Sequence, residues 1–221
     1  MAQDRERLTD VKTARAEKAE AYFRDNAERW DQLRSLHVDE AKVENAIGKL
    51  LPATGIKNLL DLGTGTGRML EVFSSRARRG TGIDLSHEML TVARDKLEKA
   101  GCANCQVRQG DLYQLPFGSG DFDAITIHQV LHFLNEPDRA IAEAARVLAP
   151  GGFLLIADFA PHGLESLRED HEHRRLGFDG DEIKSFFRRN RLTLKDTISL
   201  AGDPLTVVLW MAEKPQTDTT P

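Results

Sequence analysis

From residue 58 onward, short apolar runs alternate with amphipathic stretches of helical length. Compact apolar runs indicate strands, whereas apolar positions that recur every third or fourth residue indicate helices. Their alternation is typical of βαβ units in a mostly parallel sheet. The predicted strands are residues 58–62, 79–84, 105–109, 122–128 and 153–158, followed by two runs at 192–199 and 206–211. The predicted helices are residues 68–75, 86–100, 137–148 and 179–190.

The two ends of the chain differ from this pattern. In the charged N-terminal region, apolar residues recur at helical intervals: Leu8, Val11, Ala19, Tyr22, Phe23, Trp30 and Leu33. A second helical stretch at 38–51 ends at Pro52 and Gly55. The last two strands are joined by AGDP at 201–204, which predicts a hairpin. We therefore expect an N-terminal helical extension (1–52), one α/β domain (53–214) and a disordered tail (215–221).

Length and charge narrow the classes of function. The chain has 221 residues and a formal net charge of -5, which supports one substantial core but not two ordinary domains with a linker. The acidic balance argues against a dedicated nucleic-acid binder, which would carry a basic stripe. No apolar window is long enough to span a membrane, and the charged N-terminus lacks a signal-peptide core. Two cysteines cannot form a disulfide framework, so we expect a cytoplasmic protein.

A glycine-rich turn follows the first predicted strand, in the run LLDLGTGTGR at 59–68. Glycines at alternate positions, Gly63, Gly65 and Gly67, let the backbone turn sharply around Thr64 and let a ligand rest against its N–H groups. A dinucleotide fingerprint that starts at Gly63 would need a glycine where Arg68 stands. The observed D-x-G-x-G-x-G, which begins at Asp61, is instead the pattern of S-adenosylmethionine enzymes.

The second strand also ends in an acid, Asp84. A carboxylate at this place can accept hydrogen bonds from both ribose hydroxyls of a nucleoside. The alternative is that Asp84 only caps the helix that begins near Ser86. Leu85 and Met89 follow, and Met89 either flanks the adenine or belongs to the core.

The third strand closes with Gly110, Asp111 and Leu112. Asp111 is placed to accept a hydrogen bond from the adenine amino group, with Leu112 against the ring, although a surface turn would also explain Gly110 and Asp111. Parallel strands end at one edge of a sheet, where open α/β folds bind ligands. The three acidic strand ends therefore predict a single adenosyl site.

Together these segments resemble class I S-adenosylmethionine-dependent methyltransferases of the small-molecule, UbiE-like group. The matching pieces are LLDLGTGTGRM, GIDLSHEML, QGDLYQLPF, FDAITIHQVLHFLNEP and ARVLAPGGFLLIADF. The resemblance implies a Rossmann-like three-layer sandwich with a seven-stranded, mostly parallel sheet whose last strand is antiparallel. It also implies S-adenosylmethionine as cofactor, S-adenosylhomocysteine as product and a small-molecule methyl acceptor.

A narrower resemblance involves AYFRDNAERWDQLRSLHVDE and DFAPHGLESLREDHEHRRLGF. These pieces are similar to methyltransferase domains fused behind ArsR-type winged-helix repressors. No winged helix precedes residue 58, so the charged opening helix would be the former linker. This resemblance implies a winged-helix regulator domain as a partner, and a homodimer is the other assembly we consider.

The resemblance places the exit of the fourth strand opposite the methyl group. There His128 contacts the cofactor or removes a proton from the acceptor, and the alternative is a hydrogen-bonded structural histidine. Gln129 beside it is expected to contact the cofactor, whereas His132 carries little information. After the fifth strand, Asp158 and His162 are expected to face inward as a pair, with Asp158 a second candidate catalytic group.

Three other features allow two interpretations each. The charged run at 168–175 either lines the acceptor pocket or is a solvated helix face, which we favour. Tyr22, Phe23 and Trp30 form either a lid over the cofactor or the buried side of a packing helix. Cys102 and Cys105 have the spacing of a metal or redox motif, but the chain has no second cysteine pair, so we predict no metal site.

Two functions remain open. The first is an enzyme that methylates a small molecule. The second is a sensor that binds S-adenosylmethionine or S-adenosylhomocysteine and passes that state to an ArsR-type regulator, with little or no turnover. A nicotinamide oxidoreductase is excluded by the glycine spacing.

Overall fold

The computed structural model describes residues 18–19, 21–35 and 39–216. A seven-stranded sheet forms its centre, in the order β3-β2-β1-β4-β5-β7-β6. The strands are β1 (Ile56–Leu62), β2 (Ala77–Asp84), β3 (Cys105–Gln109), β4 (Phe122–His128), β5 (Leu148–Phe159), β6 (Thr193–Leu200) and β7 (Val207–Glu213). Neighbours from β3 to β5 are parallel, whereas β7 runs antiparallel to both β5 and β6. The predicted Rossmann-like fold and its terminal hairpin are confirmed.

Helices cover both faces of this sheet. They are α1 (Trp30–Ser35), α2 (Glu40–Leu50), α3 (Arg68–Phe73), α4 (His87–Lys99), α5 (Pro137–Val147), α6 (Ser166–Asp170) and α7 (Gly180–Arg189). Successive strand residues face opposite sides, so Leu59 joins the core beneath α2, α3 and α4, while Leu60 joins the core beneath α5 and α7. The result is the expected three-layer sandwich.

Helix ends differ from the prediction because the terminal residues act as caps. Ser86 and Asp179 stand just before α4 and α7, and their side chains accept hydrogen bonds from Met89 N and Asp181 N. The larger difference is in β5, predicted to begin at residue 153 but observed from Leu148. The intervening APGG reads as a turn, yet backbone hydrogen bonds join residues 151 and 152 to residue 214.

The N-terminal region is helical at 18–19 and 21–26 and continues through a 3-10 turn, Ala27–Arg29, into α1. The predicted helical residues Leu8 and Val11 lie outside the described residues, as does most of the predicted tail (217–221). Across residues 18–19, 21–35 and 39–216, no helix has the length and apolar character needed to cross a membrane.

Candidate active site

A cavity of about 220 Å³ opens at the edge where the parallel strands end. Most of the predicted cofactor residues line it: Asp61, Gly63, Thr64, Gly65, Asp84, Leu85, Met89, Asp111, Leu112, His128 and Gln129. Gly67 and Gly110 do not. Gly67 has a φ of 82°, and a Cβ there would lie 3.2 Å from Ala93 Cβ, so this glycine lets the turn pack against α4. Gly110 N donates to Asp84 O at 3.0 Å, which ties β3 to β2.

The glycine turn uses its N–H groups within the protein. Gly63 N and Thr64 N donate to Ile83 O at 2.8 and 3.0 Å, and Gly65 N donates to Asp84 Oδ2 at 2.8 Å. The expectation that these N–H groups support a ligand is therefore corrected, because the turn crosses the end of β2 and bonds to it. At Gly63 and Gly65 the turn presents backbone without a Cβ atom to the cavity.

Asp84 is half-buried behind this turn and organises it. Its Oδ2 accepts the hydrogen bond from Gly65 N, and its Oδ1 accepts one from Ser86 N at 2.9 Å. The cap of α4 is Ser86, whose Oγ accepts from Met89 N at 3.2 Å. Burial raises the pKa of Asp84, and the backbone N–H groups oppose that rise. A carboxylate oxygen accepts more than one hydrogen bond, so Asp84 can still accept hydrogen bonds from ribose hydroxyls. Ribose binding at Asp84 stays a prediction.

The other two strand-end acids differ in environment. Asp61 is buried at the end of β1, and its Oδ1 accepts a hydrogen bond from Thr126 Oγ1 at 2.6 Å. Burial raises the pKa of Asp61 to about 6. Asp111 is exposed at the cavity, and its Oδ1 accepts from Tyr113 N at 2.9 Å, while Leu112 is buried. Met89 is 2% exposed and also lines the cavity. Its place in the core is therefore compatible with the prediction that it flanks the adenine.

His128 is buried at the end of β4, beside two residues that the sequence did not single out. Its Nε2 lies 3.7 Å from Glu40 Oε2, and Gln129 Nε2 donates to Glu40 Oε1 at 3.1 Å. Arg34 Nε lies 3.4 Å from Glu40 Oε2. Burial holds the pKa of His128 well below its ordinary value, and the charge of Arg34 lowers it further. Arg34 and Glu40 come from the N-terminal extension, which carried no motif that could have identified them.

Asp158 does not line the cavity. It is fully buried at the end of β5, where Oδ1 lies 2.8 Å from His132 Nδ1 and Oδ2 accepts from His132 N at 3.3 Å. His162, which was expected to face inward with Asp158, does not line the cavity either, and its Nδ1 accepts from Leu164 N at 3.3 Å. The catalytic assignment of Asp158 stays a prediction, and this geometry favours a role in holding the turn after β4.

Aromatic side chains of the N-terminal region pack over the cavity. Phe23 and Trp30 line it together with Phe133 of the 3-10 turn Leu131–Phe133, and the Phe23 and Phe133 ring centroids are 4.9 Å apart. Tyr22 OH lies 2.8 Å from His171 Nδ1. Asp31 Oδ1 accepts from Thr66 Oγ1 at 2.7 Å, which joins α1 to the glycine turn. The covering and packing interpretations of this region are thus compatible.

The charged run at 168–175 and the two cysteines contribute little to the cavity lining. In the run at 168–175, Arg174 lines the cavity, while most of the other side chains are exposed or half-buried. Cys102 and Cys105 are unpaired thiols. In the described part of the chain, no group of three or more histidine, cysteine or acidic residues is arranged to hold a metal ion.

Comparison with known proteins shows what this segment is similar to. Residues 60–156 match the family described as a methyltransferase domain. The methyltransferase YcgJ of Bacillus subtilis (strain 168) is 31% identical over 148 residues, covering 62% of this chain and 58% of YcgJ. A demethylmenaquinone methyltransferase of Thermus thermophilus is 38% identical over 107 residues, covering 48% of each chain. The chain thus spans about half the length of the curated relatives it matches.

Solved structures share the fold. The crystal structure of YcgJ superposes with a TM-score of 0.69 at 22% identity, covering 79% of this chain and 98% of YcgJ. The [4+2]-cyclase SpnF gives a TM-score of 0.70 at 22% identity, covering 80% and 81%. A cyclase among these neighbours illustrates that the fold alone does not define a reaction. The sequence matches are more specific: residues 60–156 are similar to a methyltransferase domain, and the sequence relatives include methyltransferases.

Proposed function

We propose that this chain is a methyltransferase that uses S-adenosylmethionine to methylate a small molecule. The observation that carries the proposal is the convergence of Asp61, Asp84 and Asp111 with the glycine turn on one cavity within the matched methyltransferase segment. Three acids at neighbouring strand ends suit a ligand that presents ribose hydroxyls, an adenine amino group and a cationic chain.

The polar atoms of the cavity complement the charges of this cofactor, which carries a sulfonium, an ammonium and a carboxylate group. Arg34 Nε is buried and lacks a hydrogen-bond partner within the described residues. An orphaned buried polar atom costs about 1–3 kcal/mol, so a ligand that contacts such atoms is favoured. In this proposal Asp84 holds the ribose, Asp111 and Leu112 hold the adenine, and Arg34 holds the carboxylate.

The bound cofactor supplies an activated methyl group. The chain's own contribution is to align the acceptor and exclude water, and Phe23, Trp30 and Phe133 form the apolar wall suited to that task. His128 has a depressed pKa and is therefore neutral near pH 7, the form that can take a proton from an acceptor.

Asp61 should make cofactor binding depend on pH. With a pKa of about 6, its carboxyl group is half protonated near pH 6 before the cofactor binds. An ammonium group beside Asp61 favours the ionised form, so we expect the affinity for S-adenosylhomocysteine to fall by roughly tenfold between pH 7 and pH 5. Calorimetric titration across this range measures the effect. In Asp61→Asn the affinity should be weaker at pH 7 and nearly independent of pH; equal slopes in both proteins would contradict this role of Asp61.

Binding and turnover test the proposal as a whole. We expect S-adenosylhomocysteine, but not NADH, to bind in calorimetry. Tight NADH binding with no response to S-adenosylhomocysteine would overturn the proposal. For turnover, release of S-adenosylhomocysteine is measured with a demethylmenaquinone analogue and with an ethanolamine-type amine. These acceptors are chosen because curated relatives include a demethylmenaquinone methyltransferase and a phosphatidylethanolamine N-methyltransferase.

The sensor function stays an alternative prediction, and no contact among the described residues favours it. Affinities for both forms of the cofactor separate the two functions: much tighter binding of S-adenosylhomocysteine than of S-adenosylmethionine, without turnover, would favour the sensor. Association with a winged-helix regulator and a homodimer also stay predictions. A cytoplasmic location belongs to the same proposal and is supported by the two unpaired cysteines.

A further inference from the structure

Three buried polar atoms without hydrogen-bond partners in the described part of the chain lie together beside the end of β4. They are Arg34 Nε, Glu40 Oε2 and His128 Nε2. Glu40 Oε2 is central, at 3.4 Å from Arg34 Nε and 3.7 Å from His128 Nε2. Leaving a buried donor or acceptor unsatisfied costs about 1–3 kcal/mol per group. Small shifts of these side chains would bring their polar atoms to hydrogen-bond distance.

Glu40 is held at this place by its neighbours on both sides. It is the first residue of α2, whose cap Asp39 accepts from Lys42 N at 3.3 Å. Its Oε1 accepts from Gln129 Nε2 at 3.1 Å, which leaves Oε2 as the oxygen that faces His128. Burial raises the pKa of Glu40, and the charge of Arg34 opposes that rise. Glu40 lies outside the matched segment at 60–156, so nothing in the methyltransferase match assigns it a role.

Resting on the proposed function, we propose that Glu40 is a positioning residue for His128: Oε2 accepts the Nε2–H of the imidazole, so that Nδ1 is the unprotonated nitrogen that receives a proton from the methyl acceptor. A shift of less than 1 Å between the Glu40 carboxylate and the imidazole closes the 3.7 Å gap to hydrogen-bond length. Catalytic hydrogen bonds are commonly long in empty sites and tighten when the ligands bind.

The resulting chemistry selects acceptors with an ionisable X–H group, such as a hydroxyl, an ammonium or an acidic C–H. The X–H bond breaks and its proton goes to His128 Nδ1, while the electron pair stays on X. That pair forms the bond to the methyl carbon as the carbon–sulfur bond breaks with its electrons on sulfur. The imidazolium that remains is stabilised by the Glu40 carboxylate and then returns the proton to water.

The experiment uses the full chain labelled with 15N in its histidines, at pH 7, with and without S-adenosylhomocysteine. A hydrogen-bonded ring N–H exchanges slowly enough with water to give a 15N–1H cross peak. We expect a peak from His128 Nε2–H, assigned by its loss in His128→Asn, and we expect it to vanish or move upfield in Glu40→Ala and Glu40→Gln. Glu40→Asp keeps the carboxylate and should retain part of the signal, which guards against an effect of misfolding.

The chain supplies two controls. Glu44→Gln removes a carboxylate one turn further along α2, where it binds Arg68 at 2.6 Å, and should leave the His128 peak in place. The His132 Nδ1–H, held by Asp158, should give a peak in every variant and reports an intact fold. A His128 peak that is absent from the wild type, or is unchanged in both Glu40→Ala and Glu40→Gln, overturns the inference.

Calorimetry on the same proteins separates this inference from the proposed function. Loss of S-adenosylhomocysteine binding in Glu40→Gln, with the His128 peak unchanged, would make Glu40 a cofactor residue and overturn the inference. A wild type that shows the Glu40-dependent peak but does not bind S-adenosylhomocysteine would instead contradict the proposed function and leave the Glu40–His128 pair confirmed.

Discussion

Replacing Asp84 with alanine is expected to weaken S-adenosylhomocysteine binding by roughly 30- to 150-fold, or about 2–3 kcal/mol. The carboxylate is assigned two tasks at once. It receives the hydrogen bonds of Gly65 N and Ser86 N, which shape the turn, and in our proposal it accepts both ribose hydroxyls. Alanine removes the acceptor for the ligand and leaves two backbone donors without their partner, so the cavity loses both a contact and its shape.

Two further variants make this result specific to the site. Asp95→Ala removes an exposed carboxylate from α4, where it pairs with Lys99 at 2.6 Å, and should leave the affinity unchanged. Asp84→Asn keeps one acceptor oxygen, so its affinity should lie between those of the wild type and Asp84→Ala. Calorimetric dissociation constants decide the matter. If Asp84→Ala binds as tightly as the wild type, the ribose does not lie at Asp84.

Replacing Gly177 with alanine is expected to lower the free energy of unfolding by roughly 3 kcal/mol or more. Gly177 has a φ of 86°, which disfavours any residue with a Cβ. A Cβ there would stand 2.1 Å from Ala160 O, and a backbone carbonyl cannot rotate out of the way as a side chain would. The segment that carries Arg174 to the cavity would therefore have to move. That movement would strain the backbone hydrogen bonds at Leu176 and Phe178, which fasten the segment at the end of β5.

Gly163 provides the matched control. A Cβ at Gly163 meets no atom within 4 Å, and its φ is not in the left-handed region. Gly163→Ala should therefore change stability by only about 0.5 kcal/mol or less. Urea titration followed by far-ultraviolet circular dichroism measures both variants. Similar midpoints for the two would mean that the segment around Gly177 accommodates a methyl group without strain.

Strands and helices were predictable because their signal is local. The bounds of β3 and β4 match the predicted residues, and those of the other strands differ by a few residues at an end. The error at β5 has a physical reason: APGG at 149–152 has the composition of a turn, and contacts with Phe122 and Lys214, both distant in sequence, extend the strand through it. Local preference cannot report a partner that arrives from the other end of the chain.

Site residues divide in the same way. Asp61, Asp84 and Asp111 were recognisable because each ends a strand, and parallel strands end at one edge. Arg34 and Glu40 were not recognisable, because they lie in charged helices where such residues are ordinary. Asp158 and His162 were expected to face the acceptor pocket, but neither lines the cavity, because the 3-10 turn after β4 brings His132 to Asp158.

The sequence by itself thus determined the class of fold, the glycine turn and the row of acidic strand ends, since these follow from periodicity and from conformations that glycine readily adopts. Only the tertiary structure decided which side chains surround His128 and where the N–H groups of the glycine turn donate. Those contacts join α1, α2, β2 and β4 across long stretches of chain, and their geometry arises from packing both faces of one sheet, which no local pattern encodes.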